Sequence, residues 1–184
     1  MYNPSDDSFL LEECIRTGDY AGRWAIDIGT GSGILLHALS ERFENVVATD
    51  IDLNSLLACN KDVWTEDANV MLVCCSAASA IRARFDLVVS NPPYLPDEKG
   101  SSFRDIAVHG GHGGTEATAE FVKSALPLLA TDGRILLVVS SFADQQALDA
   151  ILAEKGLVRK KVKEKRIFYE TLSVIELTRK DNEK

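Results

Sequence analysis

Short apolar segments alternate with amphipathic ones along this chain, and that alternation constrains the fold more than any other feature of the sequence. Apolar strands that alternate with helices indicate a parallel sheet with helices on both faces. The predicted elements, in chain order, are a helix at 6–17, a strand at 24–28, a helix at 33–43, a strand at 46–50, a helix at 53–63, strands at 70–74 and 85–89, a helix at 115–130, a strand at 134–140, a helix at 143–155 and strands near 157–165 and 168–178. No helix separates the last two strands, which indicates an antiparallel hairpin at one edge. We therefore predict an α/β fold: a doubly wound, seven-stranded, mostly parallel sheet with an antiparallel C-terminal strand.

Length and composition exclude several other classes of protein. A chain of 184 residues is typically one domain, so we treat 1–184 as a single domain with an N-terminal helical segment at 1–20. The 46% hydrophobic and 26% charged residues exclude a largely disordered chain, and no apolar run reaches the roughly 20 residues of a membrane span. A net charge of −8 argues against nonspecific nucleic-acid binding. The N-terminus lacks signal-peptide features and the four cysteines form no C-x-x-C pair, so we expect no metal site and a reducing, cytoplasmic location.

A glycine-rich loop follows the first predicted strand and opens a helix. Its glycines, Gly29, Gly31 and Gly33, allow a tight turn and a close approach of the backbone to a ligand. Asp50 ends the second strand, where its carboxylate can accept hydrogen bonds from both hydroxyls of a ribose. Asp27, just before the loop, can face a positively charged amine. A cofactor with a ribose, an amine and no pyrophosphate fits these groups, which predicts S-adenosylmethionine.

Asp50 has an alternative role as the N-cap of the next helix. Asp52 is the better candidate for that cap because it directly precedes the helix. The ribose assignment therefore remains our prediction for Asp50.

An Asn-Pro-Pro-Tyr turn follows the fourth strand and provides acceptors for a planar nitrogen. Pro92 and Pro93 remove two backbone donors and restrict the chain. The side-chain oxygen of Asn91 can accept one N–H of an amide or exocyclic amine, and the carbonyl of Pro92 can accept the other. Tyr94 can pack its ring against the flat face of the same group. We predict Asn91, Pro92 and Tyr94 as catalytic and all four residues as substrate-binding.

Together these motifs resemble class I methyltransferases of the Asn-Pro-Pro-Tyr group, and in particular HemK-like protein glutamine methyltransferases. The segments at 3–11, 49–52, 110–115 and 169–175 resemble that family's N-terminal helix, second motif, Gly-Gly loop and last strand, so the similarity covers nearly the whole chain. The resemblance implies a Rossmann-like fold and S-adenosylmethionine as cofactor.

The resemblance also extends the predicted cofactor site. Asp7 and Ser8 in the N-terminal helix and Ile51 after the second strand join Asp27, Gly29, Gly31, Gly33, Asp50 and Asn91 as predicted cofactor-binding residues. The family usually has an acidic residue after strand three, near the adenine ring. Here Ser76 stands in that stretch, and we expect its hydroxyl or backbone N–H to substitute. Asp86 matches a common strand-four aspartate, which we interpret as structural.

The chain's short form resembles the archaeal and eukaryotic branch, since bacterial members carry an extra N-terminal helical domain. That branch implies N5-methylation of the glutamine in the Gly-Gly-Gln motif of a class 1 translation termination factor. It also implies a small zinc-binding activator protein. The predicted strand at 70–74 is apolar on both faces and lies at a sheet edge in this fold, so we expect the activator to dock there.

These motifs are also compatible with other functions. The same motif occurs in methyltransferases of guanine N2 or adenine N6 in RNA or DNA, and lysine methylation has been proposed for eukaryotic members. A non-enzymatic binding module is a further alternative, although the intact Asn-Pro-Pro-Tyr turn opposes it.

Several remaining features have structural explanations. The glycine-rich segment at 96–114 is a substrate lid or a plain surface loop, and we expect His109 and His112 within it to be ordinary loop residues. The basic stretch from Lys155 to Arg166 is better explained as a solvated edge hairpin than as an RNA contact.

Overall fold

A computed structural model of the chain describes residues 5–62, 69–92 and 115–180. The strands of the sheet are β1 (Gly22–Ile28), β2 (Phe43–Asp50), β3 (Val70–Cys74), β4 (Phe85–Ser90), β5 (Leu129–Ser140), β6 (Leu157–Ile167) and β7 (Glu170–Arg179). The helices are α1 (Asp6–Thr17), α2 (Ile34–Ser40), α3 (Leu53–Asp62), α4 (Glu116–Ala125) and α5 (Gln145–Glu154), with a 3-10 turn at Leu126–Leu128.

The seven strands form one sheet in the order β3-β2-β1-β4-β5-β7-β6. Neighbours from β3 to β5 pair in parallel, and β7 pairs antiparallel with both β5 and β6. This confirms the predicted doubly wound sheet with an antiparallel C-terminal strand. The strand order reverses between β1 and β4, and doubly wound sheets bind their ligands in the crevice beyond the carboxyl ends of the strands at such a point. Of the predicted motifs, the glycine loop after β1, Asp50 at the end of β2, and Asn91 and Pro92 after β4 lie at that edge.

Helices cover both faces of the sheet. One face packs against α1 and α2, whose buried side chains include Leu11, Ile15, Leu36 and Leu39. The opposite face packs against α4 and α5. Each strand of the central sheet is therefore buried on both sides, which explains why the sequence shows continuous apolar runs there. None of the helices in the described ranges is long and apolar enough to cross a membrane.

The amino-terminal end of α1 is held close to the carboxyl edge of the sheet. Ser5 is the extended N-cap residue, and Asp6 and Asp7 lie in the first turn, where a helix dipole favours negative charge. Lys165 of β6 forms an ion pair of 2.7 Å with Asp6, and Lys163 pairs with Glu13. Both contacts connect α1 to the edge of the sheet.

The predicted helix at 115–130 and strand at 134–140 have wrong boundaries. The α-helix ends at Ala125, and β5 begins at Leu129. Pro127 lacks the N–H that a continuing helix needs, so the chain tightens into a 3-10 turn. On β5 the partners of Phe85 and Leu87 are Leu129 and Arg134, so extra residues bulge from β5 between them. That bulge includes a Thr-Asp-Gly stretch whose local pattern is typical of a turn.

Candidate active site

The glycine loop joins β1 to α2 at the carboxyl edge of the sheet. The backbone N–H groups of Gly29 and Thr30 donate to the carbonyl of Thr49, at 2.8 and 2.9 Å. Gly29, Gly31 and Gly33 have φ angles of 76°, 54° and 78°, which other residues adopt at a cost. A Cβ on Gly29 or Gly31 would meet no atom within 4 Å, so the outer side of the loop is open. The loop therefore presents bare backbone to the crevice.

Asp50 holds this loop in place from the end of β2. Its Oδ2 accepts a 2.8 Å hydrogen bond from Gly31 N, and its Oδ1 accepts one of 2.8 Å from Asp52 N. Each carboxylate oxygen has a second acceptor position, so both can also receive a hydroxyl from a ligand. Asp50 thus combines a structural role with free acceptor capacity at the crevice.

Asp52 is the cap of α3, as the sequence indicated. Its Oδ1 accepts from Asn54 N at 3.0 Å, and its Oδ2 accepts from the Ser55 hydroxyl at 2.9 Å. These bonds, first that of Ser55, lower the pKa of Asp52. The alternative role for Asp50 as the helix cap is therefore wrong.

Asp27 is a buried carboxyl group beside the loop. Only 1% of its surface is exposed, and its Oδ2 has no hydrogen-bond partner. Burial raises the pKa of Asp27 to about 7; the nearby Thr30 hydroxyl opposes the rise, and the Asp50 carboxylate adds to it. A positively charged ligand group would stabilise the ionised form here, since the described residues supply no cation to it.

Asn91 follows β4 on the other side of the crevice. The hydroxyl of Ser90 donates to the carbonyl of Ile28 at 2.7 Å, which fixes the end of β4 against β1. Asn91 Nδ2 donates to the Ser8 hydroxyl of α1 at 3.3 Å. Its Oδ1 is buried without a partner. The structure therefore presents Asn91 as an amide with its donor side bound and its acceptor side unused.

Unpartnered buried polar atoms concentrate at this edge. Besides Asp27 and Asn91, the hydroxyls of Thr30 and Thr49 and the Oε1 of Glu170 lack hydrogen-bond partners. Sequence reasoning missed these three residues as site candidates. A hydroxyl in the otherwise apolar run of β2 was the available signal for Thr49. Leaving such a group buried and unpaired costs roughly 1–3 kcal/mol, so a cluster of them indicates a ligand site.

Two other predicted cofactor residues lie at the same edge. Ile51 directly follows β2 and is exposed. Ser76 is exposed in the turn after β3, and the preceding Cys75 donates its N–H to the carbonyl of Asp50 at 3.0 Å. These positions are open to a ligand, and their roles remain predictions.

Asp7 and Ser8 do not face open space in the described structure. Both are buried, and Ser8 contacts Asn91.

Some predicted features lie outside the described residues: Pro93 and Tyr94 of the turn, the segment at 96–114, and its His109 and His112. Within the described residues, no group of three or more His, Cys, Asp or Glu side chains is arranged to hold a metal ion. Asp86, which we interpreted as structural, accepts from the N–H groups of Arg23 and Trp24 at 2.7 and 2.9 Å. It lies at the amino end of β4, away from the crevice.

Comparison with known proteins gives a match over most of the chain. Residues 6–169 match the family model of the methyltransferase small domain. The chain is 26% identical to methyltransferase HEMK2 of Homo sapiens, over 97% of this chain and 90% of that protein. It is 33% identical to the release factor glutamine methyltransferase of Bradyrhizobium diazoefficiens over 72% of this chain, but it spans only 48% of that relative. The chain therefore corresponds to about half the length of the bacterial relative.

A solved structure shows the same architecture. It is the Mtq2–Trm112 complex of E. cuniculi, described as responsible for the methylation of the eRF1 translation termination factor. The match has a TM-score of 0.78 and 26% identity, and it covers 97% of this chain and 98% of that chain.

Proposed function

The chain belongs to the methyltransferase small domain family, and on this premise we propose that it N5-methylates a glutamine side chain with S-adenosylmethionine as the methyl donor. The observation that carries the proposal is the pairing of two features across one crevice. On one side lie the glycine loop and two aspartates, and on the other lies an asparagine amide with an unused acceptor. The first side suits a charged nucleoside cofactor, and the second suits the N–H of a planar nitrogen.

The residues of the first side fit S-adenosylmethionine. Its ammonium group would meet the unpartnered Oδ2 of Asp27, and its ribose hydroxyls would use the spare acceptor positions of Asp50. The open side of the loop at Gly29 and Gly31 leaves room for close approach. When bound, the cofactor supplies an electrophilic methyl group on a sulfonium centre.

The residues of the second side orient the acceptor nitrogen. Asn91 Oδ1 accepts one N–H of the substrate amide, and the Pro92 carbonyl accepts the other. Two acceptors at fixed positions restrict rotation of the amide and aim its nitrogen at the methyl carbon. The nitrogen can lose its proton after the attack, so no strong base is required of the chain. Orientation rather than acid–base chemistry is therefore the main contribution of Asn91.

The proposed substrate is the glutamine of the Gly-Gly-Gln motif in a class 1 translation termination factor. Two relatives support this substrate: one is named a release factor glutamine methyltransferase, and the Mtq2–Trm112 complex is described as responsible for the methylation of eRF1. Such a substrate implies a cytoplasmic location.

The charge pattern of β6 does not favour the nucleic-acid alternatives. Three of its lysines are paired with acidic side chains: Lys161 with Glu164, Lys163 with Glu13 and Lys165 with Asp6. These pairs neutralise much of the basic stretch that would otherwise attract phosphates. We therefore do not propose guanine or adenine as the methyl acceptor, and the assay below includes nucleic acids to test this.

We further propose a small zinc-binding activator as partner, docked at β3. This strand is at the edge of the sheet, so one side of its backbone is available to a strand of another chain. Met71 on β3 and Leu53 and Leu57 on α3 are exposed apolar side chains near this edge. The Mtq2–Trm112 complex supports a two-protein assembly of this kind.

A methyl-transfer assay tests the proposal. Labelled S-adenosylmethionine is supplied with a class 1 termination factor, its variant with the Gly-Gly-Gln glutamine replaced by alanine, total tRNA and rRNA, or duplex DNA. Each acceptor is tested with and without the zinc-binding partner. We expect label on the intact factor alone, located on that glutamine by peptide mass spectrometry. Label on nucleic acid only would replace this function with base methylation.

A further inference from the structure

A short chain of hydrogen bonds connects the first turn of α1 to Asn91. The Ser8 hydroxyl donates to Asp7 Oδ1 at 3.2 Å and accepts from Asn91 Nδ2 at 3.3 Å. Asp7 and Ser8 are 2% and 5% exposed, so water does not compete freely for these bonds. The carboxylate, the hydroxyl and the amide thus form one buried network.

The direction of this network follows from the chemistry of its members. An ionised carboxylate only accepts hydrogen bonds, and Asp7 Oδ1 also accepts from Ser5 Oγ and Ser8 N, each at 2.6 Å. A serine hydroxyl has a single proton, and here that proton faces Asp7. Only lone pairs of Ser8 then face Asn91, so the amide must turn its NH₂ group towards Ser8. The Asn91 oxygen is left on the other side, where it has no partner.

We propose that Asp7 and Ser8 are positioning residues that set the polarity of the Asn91 amide. An asparagine side chain has two nearly isosteric orientations, and only one presents an acceptor to the substrate. The network selects that orientation before the substrate arrives, so the cost of ordering the amide is met on folding. This inference rests on the proposed function, and it changes the predicted role of both residues from cofactor ligands to supports of Asn91.

The position of α1 makes this support rigid. Asp7 lies at the amino-terminal end of the helix, where the dipole stabilises a carboxylate. Leu10 and Leu11 are buried in the core next to it, and the Lys165–Asp6 pair joins the same turn to β6. The backbone of Ser8 therefore cannot move away from Asn91 unless this packed turn moves with it.

Kinetics and binding separate the two possible roles of Ser8. Ser8→Ala removes the hydroxyl, and Ser8→Thr restores it. We expect Ser8→Ala to lower kcat about 10- to 100-fold, the scale of a misplaced reacting group. We expect the Kd for S-adenosylmethionine to stay within about threefold, because hydrogen bonds to the cofactor are not lost. Ser8→Thr should recover most of kcat. Equal losses in kcat and cofactor affinity in Ser8→Ala would overturn the proposal and return Ser8 to the cofactor site.

Asp7→Ala tests the direction of the network. Alanine removes the acceptor of the Ser8 hydroxyl, so the serine proton can turn towards Asn91 and reverse that amide. We expect a loss of kcat similar to that of Ser8→Ala, again with nearly unchanged cofactor affinity. Asp7→Asn is the matched control, because its Oδ1 would still accept from Ser8 N and can keep accepting from the Ser8 hydroxyl. An Asp7→Ala variant with full kcat would contradict the role of Asp7.

A measurement without turnover keeps this inference separate from the proposed function. In ¹⁵N-labelled protein, the side-chain NH₂ signals of Asn91 are assigned by their loss in Asn91→Ala. We expect these signals to shift and exchange faster in Ser8→Ala, and to stay in place in Ser8→Thr. The Asn45 amide, which donates to the Arg23 carbonyl at 3.3 Å and lies at the opposite end of the sheet, serves as the internal control. Unchanged Asn91 signals in Ser8→Ala would reject the network. If the Asn91 signals shift as expected but the wild-type protein transfers no methyl group to the termination factor, only the proposed function is rejected.

Discussion

The Asp50 carboxylate accepts a 2.8 Å hydrogen bond from the backbone N–H of Gly31, and this bond joins the end of β2 to the glycine loop. The same carboxylate accepts from Asp52 N through its other oxygen. Asp50 therefore shapes the loop that would receive the cofactor and also offers acceptors to it. A substitution at Asp50 should affect binding through both routes.

Asp50→Ala should weaken S-adenosylmethionine binding more than it weakens the fold. Loss of hydrogen bonds to a charged acceptor corresponds to about 10- to 100-fold in Kd. Asp52→Ala is the matched control because it removes a neighbouring carboxylate that caps α3. We expect Asp52→Ala to lower the melting temperature and leave the Kd nearly unchanged. Isothermal titration and thermal melts of both variants check this, and equal Kd values for the two would contradict a cofactor role for Asp50.

Asn91→Ala should abolish methyl transfer while S-adenosylmethionine still binds. The variant lacks the Oδ1 acceptor that orients the substrate nitrogen, and we expect a loss of about 100-fold or more in kcat. Asn45→Ala removes a half-buried asparagine at the opposite end of the sheet and should behave as wild type. Single-turnover assays and cofactor titrations measure the two effects. A parallel fall in transfer and cofactor affinity would show that Asn91 belongs to the cofactor site instead.

Asp27 should make the stability of the free protein depend on pH. Its pKa is raised from 3.8 to about 7 in the folded protein, so between these values the folded state retains a proton that the unfolded state has lost. The contribution of Asp27 to the free energy of unfolding is fully present below pH 3.8 and is lost as the pH rises through about 7. Across this range the free energy of unfolding should fall by an amount on the order of a few kcal/mol.

Denaturant titrations of wild type and Asp27→Asn at several pH values measure this effect. The variant cannot titrate at this position, so its stability should decline less between pH 4 and 8. Parallel pH profiles for the two proteins would mean that Asp27 does not hold a proton in the folded state.

Phe168→Gly should stabilise the protein. Phe168 and Tyr169 form the two-residue connection between β6 and β7, and they are 90% and 95% exposed. Phe168 has a φ of 47°, a conformation that costs a bulky residue roughly 1–2 kcal/mol and glycine almost nothing. Tyr169 has no such φ, so Tyr169→Gly should be neutral or destabilising. Thermal unfolding of both variants measures the effect on stability. A lower melting temperature for Phe168→Gly than for wild type would count against strain at this turn.

Met71→Lys should prevent docking of the activator and leave the domain folded. Met71 is 40% exposed on the edge strand β3, so a charge is tolerated in the free protein but is costly in an apolar interface. Val158→Lys is the matched control, since Val158 is 49% exposed on β6 at the other edge of the sheet. Co-purification with the zinc-binding partner is the measurement. Loss of the complex in Val158→Lys rather than Met71→Lys would move the proposed interface to β6.

Local patterns were sufficient to predict the architecture of this domain. The periodicity of apolar residues identified each helix and strand of the described regions, because the buried positions of a helix or a strand recur at a fixed spacing in the sequence. Capping chemistry placed the start of α3 at Asp52, and the glycine loop and Asp50 followed from their positions after β1 and β2. The largest boundary errors fell at α4 and β5, where pairing with β4 overrides a local turn pattern. Smaller errors fell at α2, which ends at Ser40, and at β2, which begins at Phe43.

By itself, then, the sequence determined the order of the elements, the edge of the sheet that carries the site and most of the residue types found there. Only the tertiary structure decided which side chains meet: Ser8 with Asn91 across 83 positions, and Lys163 and Lys165 of β6 with Glu13 and Asp6 of α1. The reason is physical. Element formation depends on neighbours within a few residues, whereas these contacts arise from the packing of α1 against the far strands of the sheet, which no local pattern encodes.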